Sequence, residues 1–312
     1  MTLNTHHILG LEHLASQDIS LILDTAQEIK RLSPCAFARE APLRGKTVIN
    51  LFYEPSTRTR MSFELAGKTL GAEVLNFTTA SSSIVKGETI KDTVLTLQAL
   101  APDFIVVRHS AAGVGSLLAP HVSASIINAG DGGHEHPTQA LLDLLTIREN
   151  RGAIAGLRVA IIGDITHSRV ARSNIWGLTK LGADVRVAGP ATMVPSHIEK
   201  LGVSVFLNVE DAIADADVVM CLRIQLERQN KHLLPSLQEY ARFFGINEAR
   251  ITHAGKTVMI MHPGPLNRGV EMSTPVADGP QSFILTQVSN GLAVRMALFY
   301  LLAGKGVPDA AH

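Results

Sequence analysis

Two spacings of apolar residues alternate along the chain. Short unbroken runs recur at Thr47-Val48-Ile49-Asn50-Leu51-Phe52, Ala72 to Phe77, Asp103 to Arg108 and Ser125 to Ala129. Such runs, bounded by turn residues, predict buried strands. Between them, over 11–32, Met61 to Leu70, Glu88 to Leu100, Gly113 to Ala119 and Ala140 to Glu149, the pattern is helical. In 11–32 the apolar residues Leu14, Ile19, Leu21, Ile22, Ile29 and Leu32 fall on one face, with Ser16 or Asp18 available as a cap.

The Asn150-Arg151-Gly152 break closes this series. A second follows, with strands expected at Leu157 to Ile162, Val185 to Ala188, Val203 to Phe206, Asp217 to Leu222 and Thr257 to Met261. Repeated strand, loop and helix predict an open parallel sheet wound with helices on both sides. The expected fold class is α/β: two doubly wound parallel-sheet domains over 1–150 and 151–312, with the active site in the interdomain cleft. A long apolar-periodic helix over 281–303 could cap the second domain or return to the first.

The length agrees, since 312 residues exceed the size at which one core usually stops growing. Composition acts mainly by exclusion. The 28 basic residues equal the 28 acidic ones, so no overall field favours nucleic acid or an anionic membrane. Cys35 and Cys221 have no metal-ligand spacing and read as reduced thiols. Met1 to Gly10 lacks the basic-then-apolar pattern of a secretory signal, and no apolar run is expected to reach the ~20 residues of a membrane span. A cytoplasmic location is expected.

Candidate chemistry gathers at the ends of the expected strands. Glu54-Pro55-Ser56-Thr57-Arg58-Thr59-Arg60 joins a strand to a helix start, where unpartnered N–H groups and the helix dipole favour an anion. Ser56, Thr57 and Thr59 add hydroxyls, and Arg58 and Arg60 add guanidinium forks suited to phosphate. The plainer reading is a Ser N-cap followed by two solvated arginines. Five such residues in a row at a strand's carboxyl end favour a phosphate cradle. Arg108-His109 ends the third strand, and the sharp Gly130-Asp131-Gly132-Gly133 loop leads into His134-Glu135-His136-Pro137-Thr138-Gln139. His134, Glu135 and His136 lack a further convergent ligand at a usual spacing, so no metal is expected.

Four stretches, Ser56-Thr57-Arg58-Thr59-Arg60, His136-Pro137-Thr138-Gln139, Arg223-Ile224-Gln225 and His262-Pro263-Gly264-Pro265-Leu266-Asn267-Arg268-Gly269, carry a resemblance. In them, and in their order along nearly the full length, the chain resembles the aspartate/ornithine carbamoyltransferases. The resemblance implies transfer of a carbamoyl group from carbamoyl phosphate to the amino group of L-aspartate, in pyrimidine synthesis, without a cofactor. It implies that Ser56, Thr57, Arg58, Thr59 and Arg108 hold the phosphate, and that Thr59, Arg108 and His136 donate to the carbonyl oxygen. Gln139 and the carbonyls near Gly264 and Pro265 would read the carbamoyl NH2.

For the acceptor's two carboxylates, Arg169 and Arg223 follow the first and fourth strands of the second series, and Gln225 adds a neutral contact. Lys86, in Lys86-Gly87-Glu88-Thr89, matches a family lysine that enters a neighbouring subunit's site, with Ser81, Ser82 or Ser83 as companion. This implies a homo-oligomer, a trimer as in the family, and leaves regulatory chains or a dihydroorotase partner open. Glu54, an acid beside a phosphate site, is expected to pair with Arg169 and Arg228 on domain closure.

Rival readings are weaker. In the ornithine branch, His-Cys-Leu-Pro stands where His262-Pro263-Gly264-Pro265 stands here. A dehydrogenase needs G-x-G-x-x-G, which Ile161-Ile162-Gly163-Asp164-Ile165-Thr166 lacks. A noncatalytic phosphometabolite-binding subunit is separated only by assay.

Overall fold

The computed structural model describes residues 2–32, 40–78, 89–224 and 236–308. Cys35, Ser81, Ser82, Ser83, Lys86, Gln225 and Arg228 lie outside the described residues. By chain contacts, Met1–Leu141 and Asn290–His312 form one unit and Leu142–Ser289 the other.

In the first unit, α1 (Ser16–Arg31) precedes β1 (Thr47–Phe52), whose Val48 to Phe52 are all buried. A strand buried on both faces needs helical cover on each side, which parallel crossovers supply. Thus α2 (Thr57–Thr69) leads to β2 (Glu73–Thr78), α3 (Ile90–Gln98) to β3 (Phe104–His109), and α4 (Val114–Leu118) to β4 (Ser125–Asp131). The strands are parallel in the order β2-β1-β3-β4. The winding therefore reverses between β1 and β3, and the crevice at their carboxyl ends is where such sheets take ligands.

The cap expected on α1 is absent. Ala15 holds the N-cap position, Ser16 already lies within the helix, and the buried Asp18 carboxylate instead accepts the Asn4 backbone and side-chain N–H groups, both at 3.2 Å. Ahead of α1, Ile8 bridges β4 through Ile8 N to Ile126 O and Asn128 N to Ile8 O, each 2.8 Å.

The second series starts from α5 (Pro137–Arg151), which begins three residues before the expected Ala140 because Pro137 suits a first helical position. It continues through β5 (Arg158–Ile162), α6 (Arg169–Lys180), β6 (Asp184–Ala188), β7 (Val203–Phe206), α7 (Val209–Ile213) and β8 (Val218–Cys221). Then come α8 (Leu237–Phe244), α9 (Glu248–Ile251), β9 (Met259–Met261), α10 (Thr274–Ala277) and α11 (Ile284–Leu302). The sheet is again parallel, in the order β7-β6-β5-β8-β9, and its winding reverses between β5 and β8.

Both α5 and α11 contribute residues to each unit. The later part of α11 completes the first unit's core. Phe299 meets Phe63 and Phe104 edge-on at 5.8 and 5.2 Å between ring centroids. The buried Arg295 lies 5.0 Å over the Phe63 ring and donates to Ser62 Oγ at 2.9 Å. Burial lowers its guanidinium pKa to about 10, which leaves it charged at neutral pH.

α11 also corrects one expectation. With 19 residues and a mean hydropathy of 1.2 it is long and apolar enough to cross a membrane, but 61% of that apolar window is buried inside the protein. Its apolar character all round follows from burial, as expected of a core helix.

Candidate active site

At the β1/β3 reversal, Tyr53 N donates to Arg108 O at 2.8 Å, so the residue after β1 and the arginine one short of the end of β3 are joined directly. α2 then starts at Thr57 with Ser56 in the N-cap position, yet the Ser56 side chain makes no cap hydrogen bond. Thr89, Ser168, Asn208, Ser236 and Asn247 all do accept such a bond at the heads of their helices, and Ser273 at the head of the short α10 does not. Ser56 thus does not serve as an ordinary cap. Thr57 and Arg58 are exposed beside it, and Thr59 is 9% exposed.

Arg108 is held from two sides: Nη1 donates to Ala129 O at 2.9 Å, and Glu54 Oε2 lies 3.5 Å from Nε. Glu54 faces the arginine of its own unit, so its charge aims a cation. Arg228, one of the partners expected for it, lies outside the described residues.

His136 is 5% exposed, and its carbonyl accepts from Gln139 N at 3.0 Å and Ala140 N at 3.2 Å, which places it at the head of α5. Buried carboxylates fix this position. Asp131 Oδ1 accepts from Asn128 Nδ2 at 2.8 Å and Glu135 N at 3.1 Å, and Oδ2 accepts from Gly113 N at 2.6 Å. Glu135, 0% exposed, takes Leu11 N at 2.8 Å and Glu12 N at 3.0 Å. A side chain at Gly132, whose φ is +46°, would put Cβ 2.8 Å from Ala112 N and Ser110 O, so the loop has to be this small.

Ligand atoms of Glu12, His134 and Glu135 lie within 4.8 Å of one another. The set differs from the His134, Glu135 and His136 combination weighed above, with Glu12 in place of His136. Its buried member already spends both oxygens on backbone N–H groups.

In the Leu142–Ser289 unit the reversal between β5 and β8 carries Arg169 and Arg223. Asp164, 0% exposed just beyond β5, accepts from His167 N at 3.1 Å and faces His167 Nδ1 at 2.8 Å. Ser168 Oγ caps α6 by accepting Ala171 N at 3.1 Å, which makes Arg169 its first residue, 3% exposed, at the positive helix end. Arg223 lies two residues beyond β8 and is half-buried.

After β9, Gly264 N donates to His262 Nδ1 at 2.8 Å, the Gly264-Pro265 peptide is cis, and His262 N donates to Gln287 Oε1 at 3.0 Å. Gln287 Nε2 donates to Asp143 Oδ1 at 2.7 Å, and Asn174 Nδ2 to Asp143 Oδ2 at 2.8 Å. Glu271, 1% exposed, lies beside His262, and burial pushes its carboxyl pKa up against the opposing pull of hydrogen bonds from Ile224 and Asn267. Sequence reasoning passed over Asp131, Asp143, Asp164 and Glu271; the one available signal was an acid close to each motif.

The carbamoyl-P binding domain of aspartate/ornithine carbamoyltransferase matches residues 6–149, and the Asp/Orn binding domain matches 155–302. The chain belongs to the aspartate/ornithine carbamoyltransferase family. It is 58% identical to the aspartate carbamoyltransferase catalytic subunit of Syntrophotalea carbinolica over 304 residues, covering 97% of each chain. Among solved structures of this family, ornithine carbamoyltransferase from Pyrococcus furiosus aligns with TM-score 0.85 and 30% identity, over 97% of this chain and 99% of that one. Aspartate transcarbamoylase from Trypanosoma cruzi, in complex with carbamoyl phosphate, aligns with TM-score 0.84 and 32% identity over 95% of each. The chain is a carbamoyltransferase.

Proposed function

We propose that the protein transfers the carbamoyl group of carbamoyl phosphate to the amino group of L-aspartate, giving N-carbamoyl-L-aspartate and phosphate for pyrimidine synthesis. The observation that carries the donor half is the β1/β3 reversal, where Tyr53 N joins the end of β1 to Arg108 and α2 begins with a Ser56 side chain that makes no cap bond. Ser56, Thr57, Arg58, Thr59 and Arg108 hold the phosphate. Thr59, Arg108 and His136 donate to the carbonyl oxygen, while Gln139 and the carbonyls of Gly264 and Pro265 accept from the carbamoyl NH2. Arg169 and Arg223, with Gln225 and Lys86, take the carboxylates of aspartate.

The aspartate amine attacks the carbonyl carbon, the bond from that carbon to the phosphate oxygen breaks, and the departing phosphate accepts the amine proton. The protein's contribution is alignment and stabilisation of the charge growing on the carbonyl oxygen, for which one preset donor is worth about 2.7–4 kcal/mol. Lys86 serves a neighbouring copy in a cytoplasmic homotrimer. Met61 and Leu65 on α2 and Leu75 on the sheet-edge strand β2, 59, 53 and 52% exposed, supply apolar surface for such contacts, and a native mass of three chains tests it.

Steady-state assay of the purified chain with carbamoyl phosphate and either L-aspartate or L-ornithine tests the reaction. Carbamoyl aspartate should form, and Arg58→Ala should lower kcat by roughly 100-fold or more. Carbamoylation of ornithine alone, or of neither amine, overturns the reading.

A further inference from the structure

We infer that Glu271 is a positioning residue: its carboxylate ties the strand end bearing Arg223 to the turn bearing Gly264 and Pro265, so the two are aligned together. The inference rests on the roles proposed above for those three residues. Glu271 Oε1 accepts from Ile224 N at 2.9 Å and from Asn267 Nδ2 at 2.6 Å, and Oε2 accepts from Asn267 N at 2.6 Å. Ile224 N belongs to the peptide that follows Arg223, so holding it sets the direction in which Arg223 leaves the sheet. Asn267 lies in the segment that follows Gly264 and Pro265.

A second route reaches the same turn. His262 Nδ1 accepts Gly264 N, so the ring carries its proton on Nε2, which faces Glu271 Oε2 at 3.8 Å; both side chains are 0% exposed. The Gly264 peptide is therefore oriented by a ring whose far side looks onto the same carboxylate. The backbone of His262 is pinned independently by Gln287.

The chemical identity of the residue is informative. A carboxylate here is costly to bury, and an apolar side chain would usually be as stable or more so. Three N–H donors converge on it, and glutamine would turn one acceptor into a donor facing a donor. The arrangement fits a requirement for geometry at two loops more than a requirement for stability.

Glu271→Gln and Glu271→Asp are compared with the full-length enzyme in steady-state carbamoylation of L-aspartate, in binding of inorganic phosphate, and in urea unfolding. Glu271→Gln should raise the KM for aspartate about tenfold and lower kcat. Phosphate affinity should not change, because Ser56 to Thr59 and Arg108 belong to the other unit. Glu271→Asp, shorter but with both oxygens, should retain more turnover than Glu271→Gln.

A side chain that only fills space predicts the reverse order, since glutamine matches glutamate in size. That order, or altered urea stability with unaltered KM and kcat, overturns the inference. Asn267→Ala removes one donor and should raise the same KM, which keeps the test decisive if Glu271→Gln does not fold; an unchanged KM there counts against the role. A wild-type chain inactive toward aspartate would instead fault the proposed function.

Discussion

Glu135→Gln isolates what holds His136 in place. The native carboxylate is 0% exposed and takes two backbone N–H groups, from Leu11 at 2.8 Å and Glu12 at 3.0 Å. Glutamine has the same size but one acceptor oxygen. One N–H keeps a partner at neutral strength, and the other meets an NH2. Losing a hydrogen bond to a charged acceptor costs about 1.5–3 kcal/mol, and weakening the second to neutral strength adds about 1–1.5, for a total of roughly 2.5–4.5 kcal/mol. In domains of roughly 150–250 residues each kcal/mol moves the melting temperature about 2–4 °C, so a fall of roughly 5–18 °C is expected by scanning calorimetry.

The same change should lower kcat about tenfold, because His136 is the next residue and, in the role proposed for it, a donor to the reacting carbonyl oxygen, where small displacements are expensive. Gly10→Ala perturbs the site from the opposite side, since its Cβ would lie 2.3 Å from Glu135 Oε1, and should shift both readouts in the same direction. A Glu135→Gln protein melting within about 2 °C of wild type, with unaltered kcat, would refute the reasoning.

Two further outcomes follow from titratable groups, one half-buried and one buried. Burial lowers the His109 pKa more than Glu54 and Asp131 raise it, and its Nδ1 accepts Ala111 N at 2.8 Å. The unfolded chain therefore binds this proton more readily than the folded one. The contribution to stability is complete above the ordinary histidine value of about 6.5 and is lost as pH falls below it. Urea midpoints should drop on acidification through that range, less steeply in His109→Asn; parallel pH slopes would remove His109 from the account. Cys221 is buried, and burial pushes its thiol well above the usual range. Iodoacetamide at pH 8 should leave the Cys221 peptide unmodified in native protein and modify it in denaturant, as peptide mass spectrometry reads; native labelling would contradict its placement.

Strand positions were legible because a parallel sheet covered on both faces demands unbroken apolar runs, and β1, β3 and β5 follow them closely. Strand order was not, since β1 beside β3 and β5 beside β8 are pairings between distant segments. The Ser56 to Arg60 run stands out in the sequence by its density of donors, and the structure puts it at the head of α2. His136, taken alone, could not be separated from an ordinary helix-start histidine. The acids that orient these groups were hidden for a different reason. Asp131, Asp143 and Glu271 are buried, against the habit of their residue type, and only the folded chain brings their N–H partners to them.

The phenylalanine cluster of Phe63, Phe104 and Phe299 has a consequence for synthesis. Its third ring arrives on α11, after the whole of the other unit, which is one contiguous segment. On the ribosome the 142–289 region can mature while still tethered. The residues of the split unit made before it must wait, with an unfinished interior, until α11 has emerged.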